Sequence, residues 1–527
     1  MNGIKHKIAG LLFASLLGMG CLAQKEEGAK DAEVMYHVFQ RSFYDANEDQ
    51  HGDLKGLKEK LGYLQDLGVT SILMTPLYES VYYHNYYSSN FDKIDPKYGT
   101  MDDYIALVKD IHNRGMKIYM DMETQYVTED HQWYKESLNN PASEFSEYIL
   151  YDDLAQTKPS TIVYDLKDLK GFDGTVRKIT TVNLNSKAVH DYNARLFKFW
   201  LDPNGDGKFD DGVDGYRLDH MMDDLDNKKR LTNLFATFWV PLIKQLKEVN
   251  PKITIMAEQA NWGSYGIEYL DKAAVDRVFA FRIQQAIPSF DKEKIAAFAD
   301  TTFSTTPAGK QQIVFIENHD IARFPTVVKQ NPGKERVGAA LNLLIGGIPS
   351  IYYGQEIGML GDTWFGKYGG ITDANEIPSR EAFEWHKQAE GIGMAFWYKN
   401  SGPWWDTSTV KSDDGISFEE QKDDPASLWN FYKDLIAVRK KQAALVEGTY
   451  QTLKNNNAKV YTFSRNLGQQ KVVVAVNLSD QEQQFKISDA AARKATGLYG
   501  TAKGIVKDGT IEATLGAYGV QVWRTDK

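Results

Sequence analysis

Eight runs of apolar, β-branched or aromatic residues recur between residues 34 and 353 of this 527-residue chain, and most of the gaps between them carry a helical period. The runs are VMYHVF (34–39), VTSILMT (69–75), MKIYMDM (116–122), VDGYRLD (213–219), ITIMAE (253–258), RVFAFRI (277–283), QIVFIEN (312–318) and IPSIYY (348–353). Between them, Leu54, Leu57, Leu61, Leu64 and Leu67 recur at three- and four-residue spacing, as do Tyr104, Leu107, Val108 and Ile111. Strands alternating with helices in this number predict a (β/α)8, or TIM, barrel of the α/β class. The gap between the third and fourth runs far exceeds a normal strand-to-helix connection and predicts a small inserted domain at roughly 127–195. Beyond a helix expected at 425–441 the texture changes to short runs such as KVYTFSR (459–465) and KVVVAVNL (471–478), with turn signals between them. This predicts a C-terminal antiparallel β-sandwich over 446–527, leaving 33–445 for the barrel and its insertion.

The length allows a large core plus at least one further domain. A net charge of −10 with no Lys/Arg-rich block excludes a nucleic-acid surface. At the N-terminus, Lys5 and Lys7 precede the apolar stretch 8–20, which is too short to span a bilayer but fits an export signal. Cys21 follows it and is the only cysteine, so no intrachain disulfide can form. Cleavage before Cys21 would make it a lipid acceptor and the chain an outer-membrane lipoprotein, although Gly18 stands where such signals usually carry Leu. The rival is cleavage after Ala23, which removes 1–23 and leaves a periplasmic or secreted protein.

Four segments place carboxylates at the ends of the apolar runs: MDMETQY (120–126), DGYRLDH (214–220), IMAEQ (255–259) and FIENHD (315–320). Asp219, Glu258 and Asp320 are thus expected at strand tips that converge on one pocket. A lone Asp after a strand is usually a cap or turn former. Three such carboxylates, with Arg217 two residues before one and His319 beside another, point instead to an enzyme. Carboxylates in unequal environments are what glycoside hydrolysis needs. Arg217 shares a strand face with Asp219 and would favour its ionised form. Separately, DPNGDGKFD (202–210) alternates Asp202, Asn204 and Asp206, with Gly207 for a sharp turn, a Lys208 carbonyl and Asp210 closing the loop. That spacing of oxygen donors predicts a calcium site, against the rival of an acidic turn-rich loop. Val213 occupies the twelfth position, so the loop is not a full EF-hand.

At these carboxylates the chain resembles the α-amylase family of glycoside hydrolases, family thirteen, from about residue 33 to the C-terminus. Further resemblance lies in YHNYYSSNFDKIDPKYGT (83–100), VNLN (182–185), GIPSIYYGQEIG (347–358), IPSREAFEW (377–385) and DDPASLWNFYKDLIAVRK (423–440). The resemblance implies Asp219 as nucleophile, Glu258 as acid/base, and Asp320 with His319 on the sugar hydroxyls. It also implies His84 and Tyr86 around the sugar being cleaved, with Tyr82, Tyr83 and Tyr87 as alternatives for the stacking ring, and Arg380 and Trp385 in a later loop. The family pattern Asp-x-x-x-Asn-His is altered: Asp121 is followed by Gln125 and Tyr126, where the Asn normally helps hold a calcium ion and the His contacts sugar. After the nucleophile, Met222 and Asp223 replace the usual Lys-His. The usual interdomain calcium is therefore not expected, and contacts at and beyond the cleavage point should differ. The implied activity is a retaining hydrolase of α-1,4- or α-1,6-linked glucose polymers or oligomers. A transglycosidase of the same family, or an inactive starch-binding surface protein, are the alternatives.

Overall fold

The computed structural model describes residues 32–161, 166–225, 228–363, 366–370, 372–488 and 493–526. The expected signal segment 1–23 and Cys21 lie outside the described residues. Eight strands form a closed parallel barrel: β1 (Met35–Val38), β2 (Ser71–Met74), β3 (Lys117–Met122), β4 (Gly215–Met221), β5 (Thr254–Gln259), β6 (Arg277–Phe279), β7 (Gln311–Val314) and β8 (Ile348–Tyr352). They pair in chain order, and β1 closes the ring against β8.

Both faces of each strand are buried, which is why the runs read as continuously apolar. Met35, Leu73, Tyr119, Met256, Phe279, Ile313 and Ile348 fill the barrel interior as one cluster. Their neighbours Tyr36, Ile72, Ile118, Ile255, Val278 and Ile351 belong to the outer core beneath the helices. Gly215 opens β4 because a side chain there would lie 1.9 Å from the Thr254 carbonyl oxygen of β5. Most of the strands are shorter than the runs that announce them. β6 ends at Phe279 and a helix begins at Phe281, while β7 ends at Val314, leaving 315–320 as loop. Asp320 is therefore delivered by a loop and not by a strand tip.

Helices cover the barrel, several begun by side-chain caps: Thr100 and Asp103 form a reciprocal capping box at Met101–Asn113, and Asp291 and Asn331 cap Lys292–Thr305 and Pro332–Leu344. Between β3 and β4, strands Tyr126–Thr128, Val176–Thr181 and Asp168–Lys170 form a three-stranded antiparallel sheet beside helix Gln132–Ser137. The helix Lys187–Leu201 spans position 195 and packs against Val240–Val249, in the outer layer of the barrel.

The C-terminal part holds β9 (Thr449–Thr452), β10 (Val460–Leu467), β11 (Gln470–Asn477), β12 (Gln483–Ser488), β13 (Lys494–Tyr499), β14 (Ile505–Lys507), β15 (Thr510–Leu515) and β16 (Val520–Asp526). They make a five-stranded sheet, β9-β10-β11-β16-β13, and a three-stranded sheet, β12-β15-β14. Val460, Val473, Ala475 and Trp523 of the first meet Phe485, Ile487, Ile511 and Ala513 of the second in a separate core. The opposite face of the larger sheet, with Tyr461, Phe463, Val472, Val474 and Val522, joins the main core. No helix among the described residues is long and apolar enough to cross a membrane.

Candidate active site

A cavity of about 390 Å³ lies where the loops after the barrel strands meet. Its floor is organised by Arg217. Along β4, Tyr216 and Leu218 turn outward, so Arg217 and Asp219 turn inward. Strand register sets Arg217 opposite Asp121 on β3 and Met256 on β5. The buried guanidinium donates from Nη1 to Asp121 Oδ2 at 2.5 Å and Asp219 Oδ1 at 2.6 Å, and its Nη2 lies 3.0 Å from Glu258 Oε2. One cation thus bridges three carboxylates from three strands.

Those three carboxylates outnumber their cation, and burial favours neutral forms. Burial pushes the Asp219 carboxyl well above the ordinary range; Arg217 opposes this, while Glu258, Asp121 and Asp320 add to it. The expected pull of Arg217 toward the ionised form of Asp219 is present, but one guanidinium is shared among all three acids and burial outweighs it. Burial likewise pushes Asp121 up to about 7 against the pull of Arg217. Asp121 and Asp219, both on Arg217, titrate as interacting groups, so the proton they hold belongs to neither alone.

Tyr86 and His319 form one wall. Their rings stack 5.3 Å apart, the Tyr86 hydroxyl donates to Asp121 Oδ2 at 2.6 Å, and it lies 2.9 Å from His319 Nε2. Burial, aided by Arg217 and Arg380, pushes His319 well below the ordinary range, leaving a neutral ring. His84 Nδ1 accepts the Tyr86 backbone N–H at 3.0 Å, and its Nε2 contacts Asp373 Oδ1 at 3.0 Å. Among the four clustered tyrosines, Tyr86 and Tyr87 line the cavity. Tyr82 bonds the Leu169 carbonyl, and Tyr83 stacks on Trp397. Arg380 donates to Asp320 Oδ1 at 3.3 Å, the His319 carbonyl at 2.8 Å and the Tyr83 hydroxyl at 2.9 Å. Asp320 is more open than the other two acids, its side chain 27% exposed against 15% for Asp219 and 7% for Glu258. That order suits a residue that meets sugar hydroxyls.

The unusual residues also converge here. Tyr126 lines the cavity, and its hydroxyl lies 2.9 Å from His220 Nδ1. β4 gains one residue against β5 between Leu218 and Met221, so Asp219 and His220 form a β-bulge. His220 has φ of +44°, a left-handed conformation that costs a non-glycine residue about 1–3 kcal/mol. Its N–H donates to Glu258 Oε2 at 3.1 Å, while Trp262 Nε1 donates to Glu258 Oε1 at 3.0 Å.

His84, Tyr86, Asp121, Tyr126, Arg217, Asp219, Glu258, His319, Asp320 and Arg380 are therefore gathered in or directly beneath one cavity. Trp385 is not: it packs among Phe43, Tyr44, Tyr63 and Phe383. The loop with Asp202, Asn204, Asp206, Lys208 and Asp210 also lies apart, before the N-terminal end of β4. Sequence reasoning missed Trp262, His220, Asp373 and Glu376. Trp262, four residues after Glu258, was the most findable; Asp373 and Glu376 lie in a loop with no periodic pattern.

The family described as "Alpha amylase, catalytic domain" matches residues 37–448, and "Maltogenic Amylase, C-terminal domain" matches 450–522. "Alpha-amylase 3" of Dictyoglomus thermophilum is 27% identical over 88% of this chain and 87% of its own length. "Trehalose synthase/amylase TreS" of Mycobacterium tuberculosis is 27% identical over 82% of this chain and 78% of its own. The crystal structure of the alpha-amylase from H. orenii superposes with a TM-score of 0.76, covering 95% of this chain and 100% of that one at 24% identity. With its catalytic-domain match covering residues 37–448, well over half of its length, the chain belongs to the α-amylase family of glycoside hydrolases.

Proposed function

We propose that the enzyme is a retaining hydrolase of α-glucans, acting on starch-type polymers or malto- and isomalto-oligosaccharides. The observation that carries this is Arg217 bridging Asp219 and Glu258. Two carboxylates held by one guanidinium suit the separation of about 5–5.5 Å that a nucleophile and acid/base pair requires in double displacement. Asp219 attacks the anomeric carbon as Glu258 passes its proton to the leaving oxygen. Glu258 then takes a proton from the water that breaks the glycosyl–Asp219 bond. Asp320, tied to Arg380 and His319, holds sugar hydroxyls as the ring distorts. Product analysis on soluble starch, pullulan, maltotriose and isomaltose should show new reducing ends, with the α-anomer first by NMR. The β-anomer first would overturn the retaining mechanism. Rearranged disaccharides in place of free glucose or maltose would favour transglycosylation, the second reading supported by the relative named a trehalose synthase. No turnover on any of them would leave the starch-binding reading.

Calcium at the 202–210 loop belongs to the same proposal. Among the described residues no three His, Cys, Asp or Glu side chains already gather as a metal cage. The donor set nevertheless fits a hard cation. Asp202 accepts the N–H groups of Asp206 and Gly207, and Asn204 and Asp206 accept those of Asp206 and Lys208, winding the loop tightly. Asp211, just beyond it, is fully buried with neither carboxylate oxygen hydrogen-bonded. Burial pushes its carboxyl up against the pull of Lys109, and Asp210, Asp202 and Asp206 add to the push, a repulsion that a cation among them would relieve. Asp202, Asn204, Asp206 and Asp210 would hold the ion, with Lys208 offering its carbonyl. We also propose export through the basic start and apolar stretch that precede Cys21, with cleavage before Cys21 and its lipidation. A native N-terminus starting at unmodified Gln24 would refute the lipid anchor.

A further inference from the structure

We propose that Gln125 is a positioning residue for the catalytic pair, holding the Asp219–His220 bulge in the shape that presents the His220 N–H to Glu258. The proposal rests on the roles given above to Asp219 and Glu258. Gln125 is fully buried, and its Nε2 donates to the Asp219 carbonyl at 3.0 Å and the His220 carbonyl at 3.2 Å. Two successive carbonyls facing one donor cannot both be met by a regular strand, whose carbonyls alternate in direction. They can be met at a bulge whose second residue is left-handed, as His220 is at φ of +44°. The carboxamide orientation follows from its surroundings: Glu123 Oε1 and both carbonyls are acceptors, so turning the amide over would aim oxygen at oxygen. Glu123 also fixes the Gln125 backbone, accepting its N–H at 2.5 Å. Tyr126 completes the contact from the next position, its hydroxyl against His220 Nδ1. The result is a strap from the loop after β3 to the end of β4, and from there through the His220 N–H to Glu258 Oε2.

Gln125→Met keeps side-chain length and removes both N–H donors. In a crystal structure of this variant the His220 backbone should leave the left-handed region, and its N–H should part from Glu258; an unchanged bulge would overturn the proposal. Turnover supplies a second readout. A nitrophenolate leaves without much protonation, so a variant that misaligns the acid should lose more on maltotriose than on a 4-nitrophenyl α-glucoside or α-maltoside. We expect kcat/KM on maltotriose, which reports departure of the leaving group, to fall about tenfold or more, and kcat/KM on the aryl substrate to lose far less. Equal losses on both substrates would mean a merely structural role and would overturn it. Gln125→Asn, which keeps a carboxamide one methylene shorter, should recover part of the maltotriose rate. If the Met variant fails to fold, the Asn variant carries the comparison, and a parental bulge with parental rates there would overturn the proposal. If the parent enzyme cleaves none of these glucosides, the α-glucan reading falls, while the crystallographic comparison still decides the role of Gln125.

Discussion

At the scale of single residues, the site is a problem of charge supply. Asp121, Asp219 and Glu258 share Arg217. Asp219→Asn and Glu258→Gln keep shape and remove the reacting group, so each should cost about 10²-fold or more in kcat, since acid/base assistance alone contributes that much. Retention of a tenth of the rate by either variant would remove its assigned role. Asp121→Asn tests the shared proton. The Asp121 charge raises Asp219 and draws on Arg217, so its loss strengthens the pull of Arg217 on the remaining pair. The cluster should then release its proton at lower pH, moving the alkaline limb of the kcat/KM profile downward; an upward shift would refute a shared proton. Arg217, Asp219 and Glu258 were legible because a carboxylate or guanidinium inside a run of apolar residues is conspicuous. Trp262 was not, because a tryptophan just past a strand reads equally well as packing.

At the scale of elements, all eight strands could be located from apolar runs, but not their lengths. The runs continue past β6 and β7 because Phe281 and Phe315 still pack into the barrel interior after the strands end. The loop after β8 was less legible. There Glu381 and Glu384 are both buried, and Glu381 accepts from Thr409 through its backbone N–H and hydroxyl. Burial pushes Glu384 up to about 9, with Asp414 and Glu381 adding to it. A carboxyl whose folded pKa is raised is fully accommodated below its unfolded value of about 4.3, and its contribution is lost as pH rises through the folded value. Native stability should therefore decline from about pH 5 to pH 9. Glu384→Gln, neutral throughout, should flatten that decline and melt above the parent at pH 9. A parental slope in the variant would assign the decline to other groups. At the 202–210 loop, chelator should lower the melting temperature and calcium restore it, by preferential binding to the folded state. Asp206→Ala should abolish that response; a chelator-insensitive melting curve would exclude calcium there.

At the scale of the whole molecule, the question is what holds the C-terminal domain to the barrel. KVVVAVNL reads as apolar on both faces because the strand it forms, β11, lies between two partners: the small sheet on one side and the barrel helices on the other. Two buried guanidinium groups, neither with a carboxylate partner among the described residues, lie at this junction, and one of them, Arg465, crosses it. Arg439 donates to the carbonyls of Leu343, Leu445 and Gly347, and Arg465 of β10 donates to that of Ile345 at 3.2 Å. Leu343 and Ile345 flank the C-terminus of helix Pro332–Leu344, whose unsatisfied carbonyls carry partial negative charge and favour a cation. Burial pushes Arg439 down to about 9, with Arg465 adding to it, and burial pushes Arg465 down to about 10 despite Tyr450, yet both remain charged at neutral pH. Gly346 makes the approach possible: it is left-handed, and a side chain there would lie 2.3 Å from Arg465 Nη1. Arg465→Met preserves the apolar stem and removes the donors, leaving the Ile345 carbonyl buried and unpaired at about 1–3 kcal/mol. Scanning calorimetry should show a lower melting temperature. Because no described residue of this domain lines the cavity, kcat and KM below the transition should stay parental. A variant as stable as the parent would mean that the apolar contacts of β10 and β11 carry the junction without the cation.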